Sequence, residues 1–278
     1  MTSEIKTTCR VCGGEKFKSW GQRDGLKLYE CENCELVFFY PYPTAEELDK
    51  FYNDTYHADR DYSGESKAGT LRKQMYELDI KDLEETISGR GRFLDVGCAE
   101  GAFLSMLSPS WDRFGVDLSR TAVEKGKQRK EKMSLEAKDI ADCETGFYDV
   151  VHLRGVFEHL LEPGAFVKTA NEKLKKGGYL VLSNTPNSGG PIPRLFRGRY
   201  KLVLPNEHLH YFSKKTMAEL MERNGFRVKK ITYPYFNTPY SSFFKNLLEV
   251  PFNYLTGKQS PAFWGNIFTV YAEKVKED

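Results

Sequence analysis

The residues with the clearest chemistry are four cysteines near the start of the chain. They stand as Cys9-x-x-Cys12 and Cys31-x-x-Cys34, with eighteen residues between the two pairs. This spacing lets two tight turns bring four thiolates around one tetrahedral zinc ion, and such a site has no coordination position left for catalysis. The pattern predicts a structural zinc ribbon over residues 1–43 that needs its metal to fold. Two disulfides or a redox pair are the alternatives left open.

A second group of residues with chemical potential surrounds a predicted turn. An apolar run that includes Val96 ends at Gly97, and Gly101 opens an amphipathic segment. This order predicts a buried strand, a tight turn and a helix. Glycine lets the backbone approach a ligand closely, and the free amides at a helix start can meet a carboxylate or phosphate. The turn is therefore the expected site of a nucleotide-like ligand.

Acidic residues at the predicted strand ends narrow the choice of ligand. Asp95 lies two residues before Gly97, and Asp117 ends a second predicted strand twenty residues after that glycine. An acid at this distance suits a ribose diol. The glycines follow Gly-x-x-x-Gly, which differs from the Gly-x-Gly-x-x-Gly pattern of dinucleotide-binding turns.

Together these motifs resemble those of the class I S-adenosylmethionine (SAM)-dependent methyltransferases. The resemblance spans roughly residues 70–278, and Ala99 stands where many members carry a middle glycine. It implies that SAM is the cofactor and that Asp139 accepts a hydrogen bond from the adenine amino group. The cofactor-binding residues that it implies are Asp95, Gly97, Cys98, Ala99, Gly101, Asp117, Leu118, Asp139, Ile140 and Arg154.

The alternation of predicted strands and helices indicates an α/β protein with ligands at the carboxyl edge of a parallel sheet. The resemblance implies a Rossmann-like, seven-stranded, doubly wound methyltransferase sheet, to which the small zinc ribbon is added. The predicted division is a zinc-ribbon module at 1–43, a connector and pocket-covering segment at 44–69, and a methyltransferase domain at 70–278 with insertions at 186–212 and 234–266. Thr44 and Glu47 predict a capping box at the start of the connector helix.

Histidines near the expected cleft are candidates for the catalytic base. Methyl transfer from a sulfonium requires alignment of the acceptor and removal of its proton, and a neutral histidine suits that task near pH 7. We expect His208 to be the base, with His210, Glu207 and His159 as further catalytic candidates. Two residues apart in an extended segment, His208 and His210 would share one face. Packing or capping of the following helix is the alternative for both.

Three segments have two or more interpretations. Tyr52, Tyr56 and His57 could line the acceptor site or pack between the domains. The first insertion carries a basic cluster of Arg194, Arg197, Arg199 and Lys201. This cluster could bind a phosphate, such as the diphosphate of a nucleotide sugar, or could be a solvated loop. The aromatic second insertion could pack onto the domain or a homodimer partner, form an apolar acceptor pocket, or make a weak contact with a membrane surface.

Composition bears on the partners of the protein. The 278 residues carry 41 Lys and Arg against 39 Asp and Glu, a formal net charge of +2, which argues against a broad electrostatic grip on nucleic acid. A small-molecule substrate is therefore favoured. The sequence begins without an apolar signal-peptide core and has no uncharged run of membrane-spanning length, so we expect a cytoplasmic protein.

A cysteine-rich module ahead of a methyltransferase, followed by Glu207-His-Leu-His210, is similar to sugar methyltransferases of deoxysugar pathways. The expected function is methyl transfer from SAM to a small-molecule acceptor, either a sugar, nucleotide-linked or free, or another hydroxylated metabolite. A ribosomal-RNA methyltransferase with a zinc module and a catalytically inactive SAM-binding module are the alternatives. The motifs leave O-, N- and C-methylation open.

Overall fold

The structure is a computed structural model that describes residues 6–44, 46–48, 66–87, 89–205, 207–233 and 242–275. Its strands are β1 (Phe17–Arg23), β2 (Leu26–Cys31), β3 (Val37–Tyr40), β4 (Gly91–Val96), β5 (Trp111–Asp117), β6 (Ser134–Ala137), β7 (Tyr148–Arg154), β8 (Leu174–Pro186), β9 (His210–Tyr211), β10 (Phe226–Thr232) and β11 (Ile267–Lys274). Its helices are α1 (Lys67–Thr86), α2 (Ala102–Met106), α3 (Arg120–Gly126), α4 (Pro163–Lys173), α5 (Pro191–Phe196), α6 (Lys214–Arg223) and α7 (Phe243–Leu255).

A seven-stranded sheet forms the centre of the molecule and confirms the predicted fold. Its strand order is β10-β11-β8-β7-β4-β5-β6. Strands β4 to β8 pair in parallel, and β11 pairs antiparallel with both β8 and β10. The inner strands are apolar on both faces because helices cover both sides of the sheet. The carboxyl ends of β4, β5 and β7 therefore meet at one edge, next to the turns that follow them.

Serine side chains cap the starts of three of the helices described. Side-chain oxygens of Ser66, Ser119 and Ser213 cap the first turns of α1, α3 and α6. Helix α3 ends at Gly126, and α4 ends at Lys173 because β8 already begins at Leu174.

The cysteine-rich segment forms a separate four-stranded sheet of order β1-β2-β3-β9. Strand β9 comes from the first insertion of the methyltransferase domain, and its His210 pairs with Phe38 of β3. Phe38 is fully buried in the same hydrophobic core as the central strands. The predicted division at residue 43 thus falls where the two parts share a sheet and a core. The predicted capping box is present, with Thr44 and Glu47 exchanging backbone-to-side-chain hydrogen bonds of 2.8 and 3.2 Å.

The second insertion is described from residue 242 onwards. Helix α7 buries only Asn246, whose amide donates to the carbonyl of Ala262. Phe244, Leu248 and Leu255 are 77, 76 and 83% exposed, so most of this helix does not pack onto the domain. Among the residues described, none of the helices combines the length and the apolar character that crossing a bilayer requires.

Candidate functional site

The turn between β4 and α2, Gly97 to Gly101, has a backbone that requires glycine. Gly97 and Gly101 have φ angles of 75° and 71°, in the left-handed region. A Cβ on Gly97 would lie 2.7 Å from Cγ2 of Val156, which follows β7. This glycine turn therefore packs directly against the segment after β7, and the two segments frame one edge of the sheet.

Asp117 holds the glycine turn from the neighbouring strand. Its Oδ2 accepts a hydrogen bond of 2.8 Å from the Ala99 amide, and its Oδ1 accepts one of 2.8 Å from the Ser119 amide. The first bond holds Ala99 at a φ of 46°, an uncommon conformation for a residue other than glycine. Each carboxylate oxygen has a second lone pair, so Asp117 can still accept from a ligand diol.

The other sequence-predicted cofactor residues lie around this turn in different environments. Leu118 is 78% exposed beside Asp117, whereas Cys98 is buried and its side chain faces the core. Asp139 is exposed, and its Oδ1 caps a 3-10 turn by accepting from Ala141 at 2.8 Å. Ile140 is 4% exposed within the core cluster, so its side chain supports the wall of the site from behind.

Asp95 lies beneath the glycine turn and pairs with a histidine. Its Oδ1 is 2.8 Å from Nδ1 of His152, whose Nε2 is 3.1 Å from Oγ of Ser183. All three side chains are buried, and the ring of Phe103 stacks on His152 at 4.5 Å. Oδ1 of Asp95 thus joins β4 to β7, and through His152 to β8, while the cofactor contact that the resemblance implies stays a prediction.

Arg154 at the end of β7 turns toward helix α1. Its Nε donates to Oδ2 of the buried Asp79 at 2.6 Å, and its guanidinium lies 4.7 Å from the ring centroid of Tyr76. A buried pair of this kind fixes the position of the helix. Arg154 thus connects the leading helix to the edge of the sheet that carries the glycine turn.

A cluster of one carboxylate and two imidazoles follows β7. Glu158 is 2% exposed, and its Oε1 lies 4.0 Å from Nε2 of His159 and 3.9 Å from Nε2 of His208. The imidazole rings meet edge to face at 4.9 Å. The segment after β7 supplies Glu158 and His159, and the first insertion returns His208 to them. The structure thus brings His159 and His208 together, which the sequence alone did not indicate.

The remaining two catalytic candidates lie apart from this cluster. Glu207 contributes its backbone carbonyl, which accepts a hydrogen bond of 2.7 Å from Nδ1 of His159. His210 is fully buried in β9, with Nε2 3.1 Å from the hydroxyl oxygen of Tyr42. Burial lowers the pKa of His210 to about 3, and the charge of Arg10 adds to this effect. His208 and His210 have different neighbours, since His208 lies beside Glu158 and His210 beside Tyr42.

The four cysteines form a second candidate site, within the ribbon. Cys9 Sγ lies 3.5 Å from Cys34 Sγ, and Cys12 Sγ lies 3.5 Å from Cys31 Sγ, so all four are free thiols near one point. A tetrahedral zinc ion with bonds of about 2.3 Å separates its sulfurs by about 3.8 Å, so the arrangement fits the metal. Both pairs form the same tight turn, in which Gly13 and Glu35 donate to the carbonyls of Cys9 and Cys31.

Two of the four members of the basic cluster in the first insertion have internal partners. Arg194 donates to Glu30 at 2.8 Å and to Glu35 at 3.0 Å, which joins the insertion to the ribbon. Arg199 contacts the carbonyl of Tyr254 and the ring of Phe196. A phosphate contact by the cluster stays a prediction. Tyr52, Tyr56 and His57 lie outside the described residues.

The seven-stranded sheet and the glycine turn at its carboxyl edge define a class I SAM-dependent methyltransferase. A family model described as a methyltransferase domain matches residues 70–231, more than half of the chain, and the chain belongs to that family. The match begins within helix α1 and ends within β10. It includes the glycine turn, Asp117 and the Glu158–His208 cluster.

Relatives and solved structures agree with this class. The ubiquinone biosynthesis O-methyltransferase of Acinetobacter baumannii (strain AYE) is 25% identical over 191 residues, covering 60% of this chain and 80% of that protein. The structure of 1,6-didemethyltoxoflavin-N1-methyltransferase from Burkholderia thailandensis has a TM-score of 0.57 at 14% identity, covering 88% of this chain and 98% of that one. A possible histamine N-methyltransferase from Thermotoga maritima has a TM-score of 0.54 at 16% identity, covering 83% and 100%. These structures support the fold alone.

Two residues of the site, Glu158 and His152, were not predicted from the sequence to bind a metal ion or to act as a base. His152 interrupts an otherwise apolar predicted strand, and a polar residue within a buried strand requires a buried partner. That signal indicates a polar pair, but it does not identify Asp95 or Ser183. For Glu158, adjacency to His159 is the only local sign.

Proposed function

We propose that the protein transfers the methyl group of SAM to a hydroxyl oxygen of a small molecule. The observation that carries this proposal is the buried Glu158–His159–His208 cluster next to the glycine turn. Two adjacent residues connect the cluster to the turn. Val156 packs against Gly97, and a Cβ on the preceding Gly155 would lie 3.9 Å from Oε1 of Glu158. A methyl donor in the turn would therefore face groups able to act on an acceptor proton.

In this proposal Asp117 binds the ribose diol, Leu118 covers one face of the adenine, and Asp139 accepts from the adenine amino group. The exposed leucine and the remaining acceptor capacity of both carboxylates support these roles. The Glu158–His159–His208 cluster acts on the proton of the acceptor hydroxyl. The similarity to O-methyltransferases of ubiquinone biosynthesis supports an oxygen acceptor on a small molecule. A sugar remains one candidate, but the internal pairing of Arg194 weakens the case for a diphosphate-linked one.

We also propose that the four cysteines bind one structural zinc ion. Three of them are buried, and their sulfur atoms lie within 4.8 Å of one another. A tetrahedral zinc ion would bind all four as thiolates. The zinc would fix the two turns that support β3, and β3 in turn holds β9 and the loop that carries His208.

The test incubates the full chain with methyl-labelled SAM and a panel of phenolic, sugar and carboxylate acceptors. We expect a labelled methyl ether and one S-adenosylhomocysteine per product. With the acceptor found, His208→Ala should lower turnover by roughly 100-fold or more while SAM affinity holds. Glu219→Gln, a partly exposed position on α6, serves as the control and should keep wild-type turnover. Methylation of nitrogen or carbon, or wild-type turnover by His208→Ala, would reject the corresponding part of the proposal.

A further inference from the structure

The geometry of Glu158, His159 and His208 points to a metal site separate from the cysteine cluster, and we propose that these three side chains bind a divalent transition-metal ion. Their ligand atoms, one carboxylate oxygen and two imidazole nitrogens, all lie within 4.8 Å of one another. Two histidines and one carboxylate form a ligand set for zinc, cobalt or iron that leaves further coordination positions open.

Hydrogen bonds to backbone carbonyls fix the orientation of both imidazoles. Nδ1 of His159 is 2.7 Å from the carbonyl oxygen of Glu207, and Nδ1 of His208 is 3.0 Å from that of Leu202. A carbonyl oxygen only accepts, so each Nδ1 carries a proton, and Nε2 is the nitrogen through which each neutral ring would bind a metal ion. Metal-binding histidines are usually held in this way, by a hydrogen bond from the nitrogen that does not bind the metal.

The three candidate ligand atoms surround one point. Nε2 of His159 and of His208 are 4.0 and 3.9 Å from Oε1 of Glu158. A point equidistant from three atoms so spaced lies within about 2.5 Å of each, a few tenths of an ångström more than the bonds of zinc to nitrogen and oxygen. A cation at this point would interact favourably with the buried carboxylate of Glu158.

The ion would act in the methyl transfer if the proposed function is correct, and this role rests on that function. An acceptor hydroxyl bound to the ion loses its proton to water more readily, because the metal lowers the pKa of a bound hydroxyl. The resulting oxygen forms a bond to the methyl carbon as the bond from carbon to sulfur breaks. The sulfonium becomes the neutral thioether of S-adenosylhomocysteine, and one proton is released to solvent. In this mechanism His208 is a ligand of the ion, and the acceptor oxygen bound to the ion is the nucleophile.

The test measures metal binding without SAM or acceptor, so its failure is distinct from failure of the proposed function. Protein whose cysteine site holds zinc is titrated with Co²⁺, followed by visible absorption and by metal analysis after gel filtration. We expect one additional equivalent of Co²⁺ per chain without a thiolate charge-transfer band, since its ligands are nitrogen and oxygen. Glu158→Gln and His208→Ala should lose this equivalent and keep the zinc. Glu207→Gln, beside His208 but outside the ligand set, should retain both.

A second measurement uses wild-type protein, so that a variant that fails to fold does not decide the result. In the Co²⁺-loaded chain, NMR should detect two strongly shifted, solvent-exchangeable protons, one from each Nδ1–H of His159 and His208. Absence of the additional equivalent in wild type, its persistence in both variants, or fewer than two such protons would overturn the proposal.

Discussion

Asp117 is the residue on which the cofactor site depends most directly. Replacing it with alanine removes the acceptors of the Ala99 and Ser119 amides and the proposed contact with the ribose diol. We expect Asp117→Ala to weaken SAM binding by about 1 to 3 kcal/mol, the cost of losing hydrogen bonds to a charged acceptor. Calorimetry on the folded variant measures this loss. Asp112→Ala, at the exposed opposite end of β5, is the matched control, and equal affinities in the two variants would remove Asp117 from the site.

His210 contributes to stability through its neutral form. Burial lowers its pKa to about 3 in the fold, whereas the pKa of a histidine in an unfolded chain is about 6.5. Between these values the unfolded chain binds more protons, so this stabilisation is complete above about pH 6.5 and is lost as the pH falls toward 3.

His210→Phe should remove this pH dependence. We expect the free energy of unfolding of wild type to fall with acidification by up to about 1.4 kcal/mol per pH unit more than that of the variant. Urea unfolding at a series of pH values from about 7 to 4 measures both slopes. Loss of metal at low pH affects both proteins, so the difference in slope isolates His210. Parallel slopes would show that His210 is charged in the fold.

At the scale of elements, the ribbon is held by its cysteines and by its pairing with β9. We predict one tightly bound zinc ion per chain from this site, lost in Cys31→Ser together with order in β2 and β3, because the small sheet has little core of its own. SAM binding should persist, since the glycine turn and Asp117 belong to the other sheet. Metal analysis and calorimetry on the same samples test both parts. Freshly purified protein with no zinc would contradict the assignment.

The ribbon also supports the acceptor side of the molecule. Thr216 at the start of α6 donates to the carbonyl of Cys34 at 2.6 Å, and β3 pairs with β9 just after His208. Loss of the ribbon should therefore disturb the Glu158 cluster before it disturbs the SAM pocket. This dependence follows from two contacts that join the start of the chain to residues near position 210.

At the scale of the whole molecule, the exposed apolar side of α7 is the surface most suited to association. We predict that Leu248→Ser changes the free energy of unfolding by less than about 0.5 kcal/mol, as expected of an exposed position. Asn246→Ala should cost about 1 to 3 kcal/mol, because it removes a buried side chain that donates to the carbonyl of Ala262. Denaturant unfolding distinguishes them, and comparable losses would place Leu248 in contact with the domain.

A homodimer through this face stays a prediction. Light scattering should give a lower mass for Leu248→Ser than for wild type, if wild type dimerises through α7. An unchanged dimer would place the interface elsewhere, and co-flotation of wild type with lipid vesicles would favour the membrane contact instead.

Features that depend on short stretches of chain could be predicted from the sequence alone. The spacing of four cysteines predicts their cluster, and an apolar run ending at Gly97 predicts the strand, turn and helix, because such patterns reflect local geometry. The location of Asp117 beside the glycine turn also follows from the sequence, because the carboxyl ends of parallel strands meet at one edge of the sheet. No local pattern predicts the end of α4, because Leu174 leaves the helix to pair with Tyr148 of β7.

Tertiary packing alone decided the pairs that are far apart in sequence. Asp95 meets His152, β3 meets β9, and Glu158 meets His208 only because the chain returns to the same edge of the sheet. No local sequence pattern predicts these long-range contacts, because each one forms when the surrounding apolar side chains are buried. For this reason the sequence indicated His208 and His159 as separate candidates, and the fold placed them around one carboxylate.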